Sequence, residues 1–369
     1  MISSDFWRNK NVFITGHTGF KGAWLTLWLL SLGANVYGYS DDIHDEHFLY
    51  KSLELKNNEI ISIKGDICDF VKLKKSLHES RPDIVVHMAA QSLVRQSYSQ
   101  PLDNFNINIM GTCNLLEAVR DVQGIGACLV VTTDKCYENL EHGEPFMEDD
   151  RLGGGDPYSA SKACAEIVTN SYRKSFFQDK SNTAIATVRA GNVIGGGDMS
   201  KDRIIPDIIR AYQNDEFVSI RNPQSVRPWQ HVLDCLYAYM ILCEKLYSKN
   251  ESYRSAWNIG PEHESIKTVE TLLKNFVRHW PETKYKFEPT EDMKESILLT
   301  LNTDKANKDL AWFPVLDFEE AISWTANWYR EVIQEKKDAR IVSLEQLKAY
   351  QNKGLRFYKD KLSNDYMDE

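Results

Sequence analysis

Thr15-Gly16-His17-Thr18-Gly19-Phe20-Lys21-Gly22, following the apolar run Asn11-Val12-Phe13-Ile14, decides how this chain is read. The short β-branched run predicts a buried strand, and the glycines beside it let the backbone turn tightly into a helix that begins near Phe20. Gly19 leaves room for a pyrophosphate to approach the backbone, and Gly22 lets the helix pack closely on the strand. The unpaired N–H groups and positive dipole end of that helix then face the anion. The spacing is G-x-x-G-x-x-G rather than the commoner G-x-G-x-x-G, and a glycine trio alone also describes a loop that simply needs glycine. The flanking sequence favours the dinucleotide site. Ala23 to Leu32 suits a helix packed on a sheet, Gly33 stands where such a helix is closed, and Asn35-Val36-Tyr37-Gly38-Tyr39 reads as a second strand, completing one βαβ unit.

At 369 residues the chain is longer than one typical domain, so two lobes are expected. With 44 Lys plus Arg against 53 Asp plus Glu, the formal net charge of −9 disfavours a nucleic-acid partner, which needs a broad basic face. Arginines that bind a small phosphate ligand remain compatible with that balance. No apolar run approaches the ~20 residues that span a bilayer and no signal-like segment opens the chain, so a cytoplasmic protein without a membrane partner is expected. The seven cysteines are scattered and without a C-x-x-C pair, which suggests mostly buried thiols, with neither a disulfide framework nor a metal site.

Beyond the second strand, Ser40 stands where an acidic residue commonly meets the ribose 2′-OH, and carboxylates follow at Asp41 and Asp42. An acidic run without arginine repels a 2′-phosphate, so NAD is expected rather than NADP. Glu59 to Ile67 reads as a third strand and Pro82 to Gln91 as a fourth. Ligands of parallel sheets lie outside the carboxyl ends of the strands, so Asp66 with Ile67, and Ala89, Ala90 and Gln91, are directed at the cofactor. Asn104 to Arg120 is a helical segment carrying Asn108, and Ala127 to Thr133 is a fifth strand. Where that strand ends, Thr133-Asp134-Lys135-Cys136-Tyr137 begins the chemistry. Downstream, Pro157 opens a helix on which Tyr158 and Lys162 share one face. A tyrosine with a reference pKa of ~10 acts as a base near neutrality only beside positive charge, which a lysine one turn away and the nicotinamide of NAD supply.

Gly16-x-x-Gly19-x-x-Gly22, Asp66, Asn108, Thr133 and Tyr158-x-x-x-Lys162 together resemble the extended short-chain dehydrogenase/reductase family. The runs Val131 to Tyr137, Arg189 to Asp198 and Arg227-Pro228-Trp229-Gln230-His231-Val232 are similar to its nucleotide-sugar 4,6-dehydratase branch that acts on CDP-glucose. The resemblance covers about Phe6 to Tyr329; beyond Glu331 only helix and tail are expected. A related branch acting on dTDP-glucose carries glutamate where Lys135 stands.

The resemblance implies an α/β fold: a Rossmann-like doubly wound parallel sheet with a smaller, interwoven C-terminal α/β substrate-binding lobe. The expected division is 1–192 with 229–261 for the NAD-binding domain and 193–228 with 262–369 for the substrate domain. Gly16, His17, Thr18, Gly19, Phe20, Lys21, Gly22, Ser40, Asp66, Ile67, Ala89, Ala90, Gln91, Asn108, Tyr158 and Lys162 form the implied cofactor set. Thr133, Asp134, Lys135, Tyr158 and Lys162 form the implied catalytic set, with Asp134 the acid and Lys135 the base of an elimination. The acid must carry a proton and the base must lack one. Asn192, Arg203, Arg221, Arg227 and His231 lie on the substrate side. Arg227 is implied at the diphosphate, whereas His231, where the chain returns to the first lobe, suits a structural role better than catalysis. The glycine runs 153–155 and 195–197 read as flexible loops, and Trp257 to Pro261 as an edge strand.

The implied reaction converts a CDP-hexose to its 4-keto-6-deoxy form with loss of water, a step of deoxysugar synthesis for O-antigen or lipopolysaccharide. A homodimer paired through the helices at 104–120 and 158–174 is also implied. A 4-epimerase of the same family and a catalytically silent NAD-binding regulator are the alternatives. The first needs the tyrosine but no acid–base pair, and the second does not need the complete Asn108, Thr133, Tyr158 and Lys162 set.

Overall fold

A computed structural model of the chain describes residues 2–139, 143–178, 183–288 and 299–365. Its centre is a seven-stranded, all-parallel sheet built from β1 (Asn11–Thr15), β2 (Asn35–Ser40), β3 (Ile60–Lys64), β4 (Ile84–His87), β5 (Ala127–Val131), β6 (Ala184–Ala190) and, out of sequence, β10 (Ala256–Ile259). The spatial order is β10-β6-β5-β4-β1-β2-β3, the doubly wound order extended by one edge strand. Three further strands, β7 (Asn192–Ile194), β9 (Val226–His231) and β11 (Ile266–Thr268), form a second sheet, and β8 (Val218–Ile220) pairs with β12 (Tyr285–Phe287).

The helices in chain order are α1 (Ser4–Trp7), α2 (Phe20–Ser31), α3 (Phe48–Ser52), α4 (Phe70–Ser80), α5 (Val94–Ser99), α6 (Pro101–Phe105), α7 (Gly111–Asp121), α8 (Pro157–Phe176), α9 (Ile204–Gln213), α10 (Val232–Tyr247), α11 (Val269–His279), α12 (Asp304–Asp309), α13 (Phe318–Tyr329) and α14 (Ala339–Asp365). A π-helical turn, Asn106–Met110, joins α6 to α7.

Period-two alternation sends the strands' side chains into two cores. Val12, Ile14, Val86 and Leu129 face one side with Trp24, Trp28 and Leu236, whereas Phe13, Val85, Cys128 and Val130 face the other with Leu73, Leu77 and Leu115. Burial on both faces explains why β5 reads as an unbroken apolar run. Helix α2 is apolar almost all round because it is enclosed between the sheet, α10 and α14; Trp28 meets Tyr350 edge-on with ring centroids 5.6 Å apart. The segment past Glu331, which the sequence assigns only as helix and tail, thus becomes the α14 cover of α2; residues after Asp365 lie outside the described ones.

Its dock is the buried Asp234 carboxylate in the first turn of α10. Asp234 accepts hydrogen bonds from Val315 N at 2.7 Å, Leu316 N at 3.4 Å and the Tyr350 hydroxyl at 2.7 Å. Among the described residues no helix is long and apolar enough to cross a membrane.

The run Gly195-Gly196-Gly197 is not the flexible loop expected from its composition. It is buried, a side-chain carbon on Gly196 would lie 2.1 Å from the Trp328 ring, and its carbonyl accepts from Trp24 Nε1 at 2.9 Å. Glycine here answers a close approach, not mobility.

Candidate active site

The strand order reverses between β1 and β4, and the crevice outside their carboxyl ends opens into a cleft of about 1100 Å³ that continues to α9, β8 and β9. The switch point is bolted from within. Thr15 Oγ1 accepts from Met88 N and Ala89 N, both at 3.1 Å, and bonds His87 Nδ1 at 2.7 Å, while His87 Nε2 meets Thr112 Oγ1 at 3.1 Å. Burial pushes His87 down to about 3, so it is neutral.

The glycine turn is a cradle that side chains would fill. A Cβ on Gly16, whose φ is +75°, would stand 2.7 Å from Ala89 N, and one on Gly22 would stand 2.1 Å from the Gly16 carbonyl oxygen. Gly19 begins α2 in extended conformation with no side-chain cap and no acidic residue in the first turn, so the helix N-terminus is left to an outside anion. Thr18, Phe20 and Lys21 line the cleft, as do Ser40, Asp66, Ile67, Ala89, Ala90 and Gln91 at the ends of β2, β3 and β4. This cradle, with small residues facing it from β4, fits a dinucleotide pyrophosphate.

Two expected cofactor contacts lie behind the wall instead. His17 is buried between Ser62 Oγ at 2.8 Å and Ser40 Oγ at 2.9 Å, and burial lowers it to about 4; it fastens β2 and β3 to the turn. Asn108, on the π-helical turn, accepts from Gln91 N at 2.9 Å and donates to Gln91 O at 3.0 Å and Ser161 Oγ at 2.9 Å. It ties the loop after β4 to α8 and so positions Gln91 rather than reaching the cleft.

The residues after β5 and those opening α8 meet on one wall. Lys162 Nζ donates to Val131 O at 3.3 Å, and burial, with the Lys21 charge, pushes its ammonium down to about 8. Burial raises the Tyr158 phenol to about 12, opposed by its hydrogen bond with Thr133 and by Arg203. Thr133 Oγ1 donates to Asp134 Oδ1 at 2.9 Å, so one hydroxyl connects the phenol to the carboxylate. Asp134 is buried, with Oδ2 3.0 Å from where a Cβ on Gly191 would be. Lys135 is half-buried on the cleft, and among the described residues no ion pair joins it to Asp134.

Beneath this wall lies a network that sequence reading missed. Glu166, one turn beyond Lys162, pairs with Arg189 at 2.8 Å and accepts from Thr132 Oγ1 at 2.5 Å and Thr187 Oγ1 at 2.8 Å. Arg189 also donates to Tyr137 OH at 2.7 Å and Glu148 O at 2.8 Å. Burial pushes the Glu166 carboxyl up, but Arg189 and the hydroxyls hold it below the usual range. A glutamate four residues after a catalytic-type lysine on the helix face turned to the sheet was the available signal.

On the substrate side, Asn192, Arg203, Arg221 and Arg227 all line the cleft. Arg203, the residue before α9, pairs with Asp198 at 3.0 Å. Arg221 and Arg95 each reach Asp202 Oδ1 at 3.0 Å; neither Arg95 nor Asp202 is marked by any local motif. His231 does not reach the cleft. It is fully buried, its Nδ1 accepts from Leu233 N at 3.3 Å to cap α10, and burial lowers it to about 3, so the substrate contact expected of it is replaced by a capping role.

Residues 13–325 match the family model described as GDP-mannose 4,6 dehydratase. The CDP-glucose 4,6-dehydratase of Salmonella typhimurium is 43% identical over 355 residues, covering 95% of this chain and 98% of that protein. The dTDP-glucose 4,6-dehydratase of Escherichia coli is 26% identical over 352 residues, covering 86% and 93%. In fold, the epimerase Mth375 of Methanothermobacter thermautotrophicus superposes with a TM-score of 0.78 at 24% identity, covering 90% of this chain and 95% of that one. A dTDP-glucose 4,6-dehydratase from Streptomyces venezuelae, solved with NAD bound, does so at 0.73 and 21% identity, covering 87% and 97%. With a cradle for a dinucleotide, a tyrosine–lysine couple and a match that spans most of its length, this chain belongs to the GDP-mannose 4,6 dehydratase family of nucleotide-sugar dehydratases, within the extended short-chain dehydrogenases/reductases.

Proposed function

We propose that this cleft converts CDP-D-glucose to CDP-4-dehydro-6-deoxy-D-glucose and water. The observation that carries the reading is the adjacency of an acid–base pair, Asp134-Lys135, to Thr133 and the Tyr158–Lys162 couple on one wall of a single cleft. When bound, NAD supplies a hydride acceptor at the sugar C4 and returns the hydride at C6. Tyr158 takes the proton from the sugar O4; because burial, only partly opposed by Thr133 and Arg203, holds the phenol near 12, it depends on further positive charge beside it, a role assigned to Lys162. Thr133 orients the phenol. Once C4 is a ketone, the C5 proton is acidic, and Lys135 removes it while Asp134 gives a proton to the departing O6 hydroxyl; as C6 takes up the hydride, the Lys135 ammonium returns a proton to C5. The two roles fall to adjacent residues because O6 and the C5 hydrogen are neighbours on the substrate.

Arg227, buried in β9 at the cleft, is assigned to the diphosphate, where a guanidinium fork matches paired phosphate oxygens; Arg203, Arg221 and Asn192 complete the substrate side. Asp41, lining the cleft where β2 ends, favours NAD over NADP by repelling a 2′-phosphate. The lobes divide as 1–192 with 229–261 and 193–228 with 262–369, α14 of the latter lying against α2 of the former. A homodimer through the helices at 104–120 and 158–174 is part of the same reading, supported by the exposed apolar side chains of Met110 and Ile167 there. The protein is placed in the cytoplasm, as a deoxysugar-forming enzyme.

Incubation with NAD and CDP-, dTDP-, UDP- or GDP-glucose, read by product mass, tests the reading. Loss of one water from the CDP sugar above the others is expected. An isomeric product of unchanged mass would instead make the chain an epimerase.

A further inference from the structure

Three side chains from distant stretches of sequence meet over one oxygen atom on the substrate side of the cleft. Arg95 is carried by α5, Asp202 lies in the connection between β7 and α9, and Arg221 follows β8. Nη1 of Arg95 and Nη2 of Arg221 each donate to Asp202 Oδ1 at 3.0 Å, so these two nitrogens lie within twice that distance of each other. All three residues line the same cleft as Arg227, and each side chain is about one third exposed. Asp202 holds a left-handed backbone, φ +59°, which a non-glycine residue keeps only where its surroundings fix it.

The count of charges sets this cluster apart from its neighbours. Arg203 has its own carboxylate in Asp198 at 3.0 Å, and Arg210 has Asp207. Arg95 and Arg221 share one carboxylate, and among the described residues no second one pairs with either. The cluster therefore leaves one positive charge facing the cleft. Each guanidinium spends a single N–H on Asp202, so most of its donor fork is left for an anion that offers several oxygens. The helix that carries Arg95 is also fastened to the catalytic wall: Tyr158 N donates to Ser97 Oγ at 3.2 Å, two residues further along α5.

We propose that Arg95 is a further substrate-binding residue, a guanidinium brought from the cofactor side of the cleft and held beside Arg221 by Asp202 so that both grip the diphosphate of a nucleotide sugar. The inference rests on the reading that the cleft takes such a substrate. Two arginines left to themselves repel each other and disperse into solvent; the shared carboxylate holds them together before the ligand arrives and so lowers the ordering cost of binding. Because α5 is tied to the backbone of Tyr158, a diphosphate gripped by Arg95 is registered against the residue that meets the sugar.

Calorimetric titration of the NAD-loaded protein with CDP and, separately, with cytidine tests this. Arg95→Met is expected to weaken CDP binding about tenfold, the low end for one charge-assisted contact at a partly exposed site, and to leave cytidine binding unchanged. Arg95→Lys is expected to recover only part of the loss, because an ammonium replaces the charge but not the fork. CDP affinity within about twofold of the unsubstituted protein, or an equal loss for CDP and cytidine, would leave Arg95 as a clasp between distant segments and overturn the proposal. Weaker NAD binding with CDP binding unchanged would overturn it too, by assigning Arg95 to the cofactor. Should Arg95→Met not fold, Arg95→Gln carries the same comparison. Titrating UDP, dTDP and GDP against their nucleosides keeps the CDP assignment separate: if another base is preferred, that assignment fails, while Arg95→Met still removes the advantage of the diphosphate over its nucleoside.

Discussion

Replacing Glu166 by leucine removes one partner of a buried ion pair whose other member, Arg189, then has no carboxylate. Breaking such a pair costs about 3–5 kcal/mol because a desolvated charge is left behind. Thr132 and Thr187 also lose their acceptor, although Thr132 still reaches Val188 O at 3.2 Å, so the upper part of that range is expected. Replacing both partners, Glu166→Leu with Arg189→Met, removes the uncompensated charge. What remains is the loss of the Arg189 hydrogen bonds to Tyr137 and Glu148 and of the Glu166 acceptor for Thr132 and Thr187, about 2 kcal/mol. The double variant is therefore more stable than Glu166→Leu alone by about 2–3 kcal/mol, so the two single costs do not add. Urea unfolding followed by circular dichroism reads the four corners of the cycle, and turnover read alongside falls mainly in kcat because Thr132 precedes Thr133. Additive single costs, within about 0.5 kcal/mol, would refute the reasoning.

Four further outcomes follow from the same geometry. Tyr158→Phe leaves NAD binding largely intact but lowers turnover by about 10²–10⁴, measured from product formation. Lys135→Ala still permits oxidation at C4 but suppresses solvent-deuterium exchange at C5; unchanged exchange would remove Lys135 from the base role. Asp234, pushed up by burial from 3.8 to about 7, keeps its proton longer when folded than when unfolded, so its contribution to stability is full below about 3.8 and is lost as pH rises through about 7. Asp234→Asn accordingly flattens the fall of the urea midpoint between those values, and an unaltered slope would exclude Asp234 as its source. Asn108→Ala strands the Gln91 backbone groups and Ser161, costs about 1–3 kcal/mol, and lowers NAD affinity through Gln91 rather than by a lost direct contact, which calorimetric titration reads.

Much of this was legible in the residues because it rests on short-range rules. The glycine cradle, the alternation of Val12, Phe13 and Ile14 between two cores, and the one-turn spacing of Tyr158 and Lys162 are local patterns that the parallel sheet cannot satisfy otherwise. What escaped depends on which way a side chain faces once distant elements pack. His17, Asn108 and His231 have the chemistry of ligands, yet each is turned into the wall and spends its hydrogen bonds on Ser40 and Ser62, on Gln91 and Ser161, and on the start of α10. Glu166 with Arg189 and Arg95 with Asp202 are pairs formed across long sequence separations, and no spacing rule reports them. The run Gly195-Gly196-Gly197 reads as a flexible loop because composition cannot distinguish freedom from the absence of room beside Trp328.

The central claim is that one cleft removes a hydride from C4, eliminates water across C5 and C6, and returns that same hydride. CDP-glucose carrying deuterium at C4, turned over in ordinary water and analysed by NMR, tests it most directly. The deuterium should appear in the C6 methyl group of a product lighter by one water. Deuterium still at C4 of an isomeric sugar, or washed out into solvent, would contradict the account.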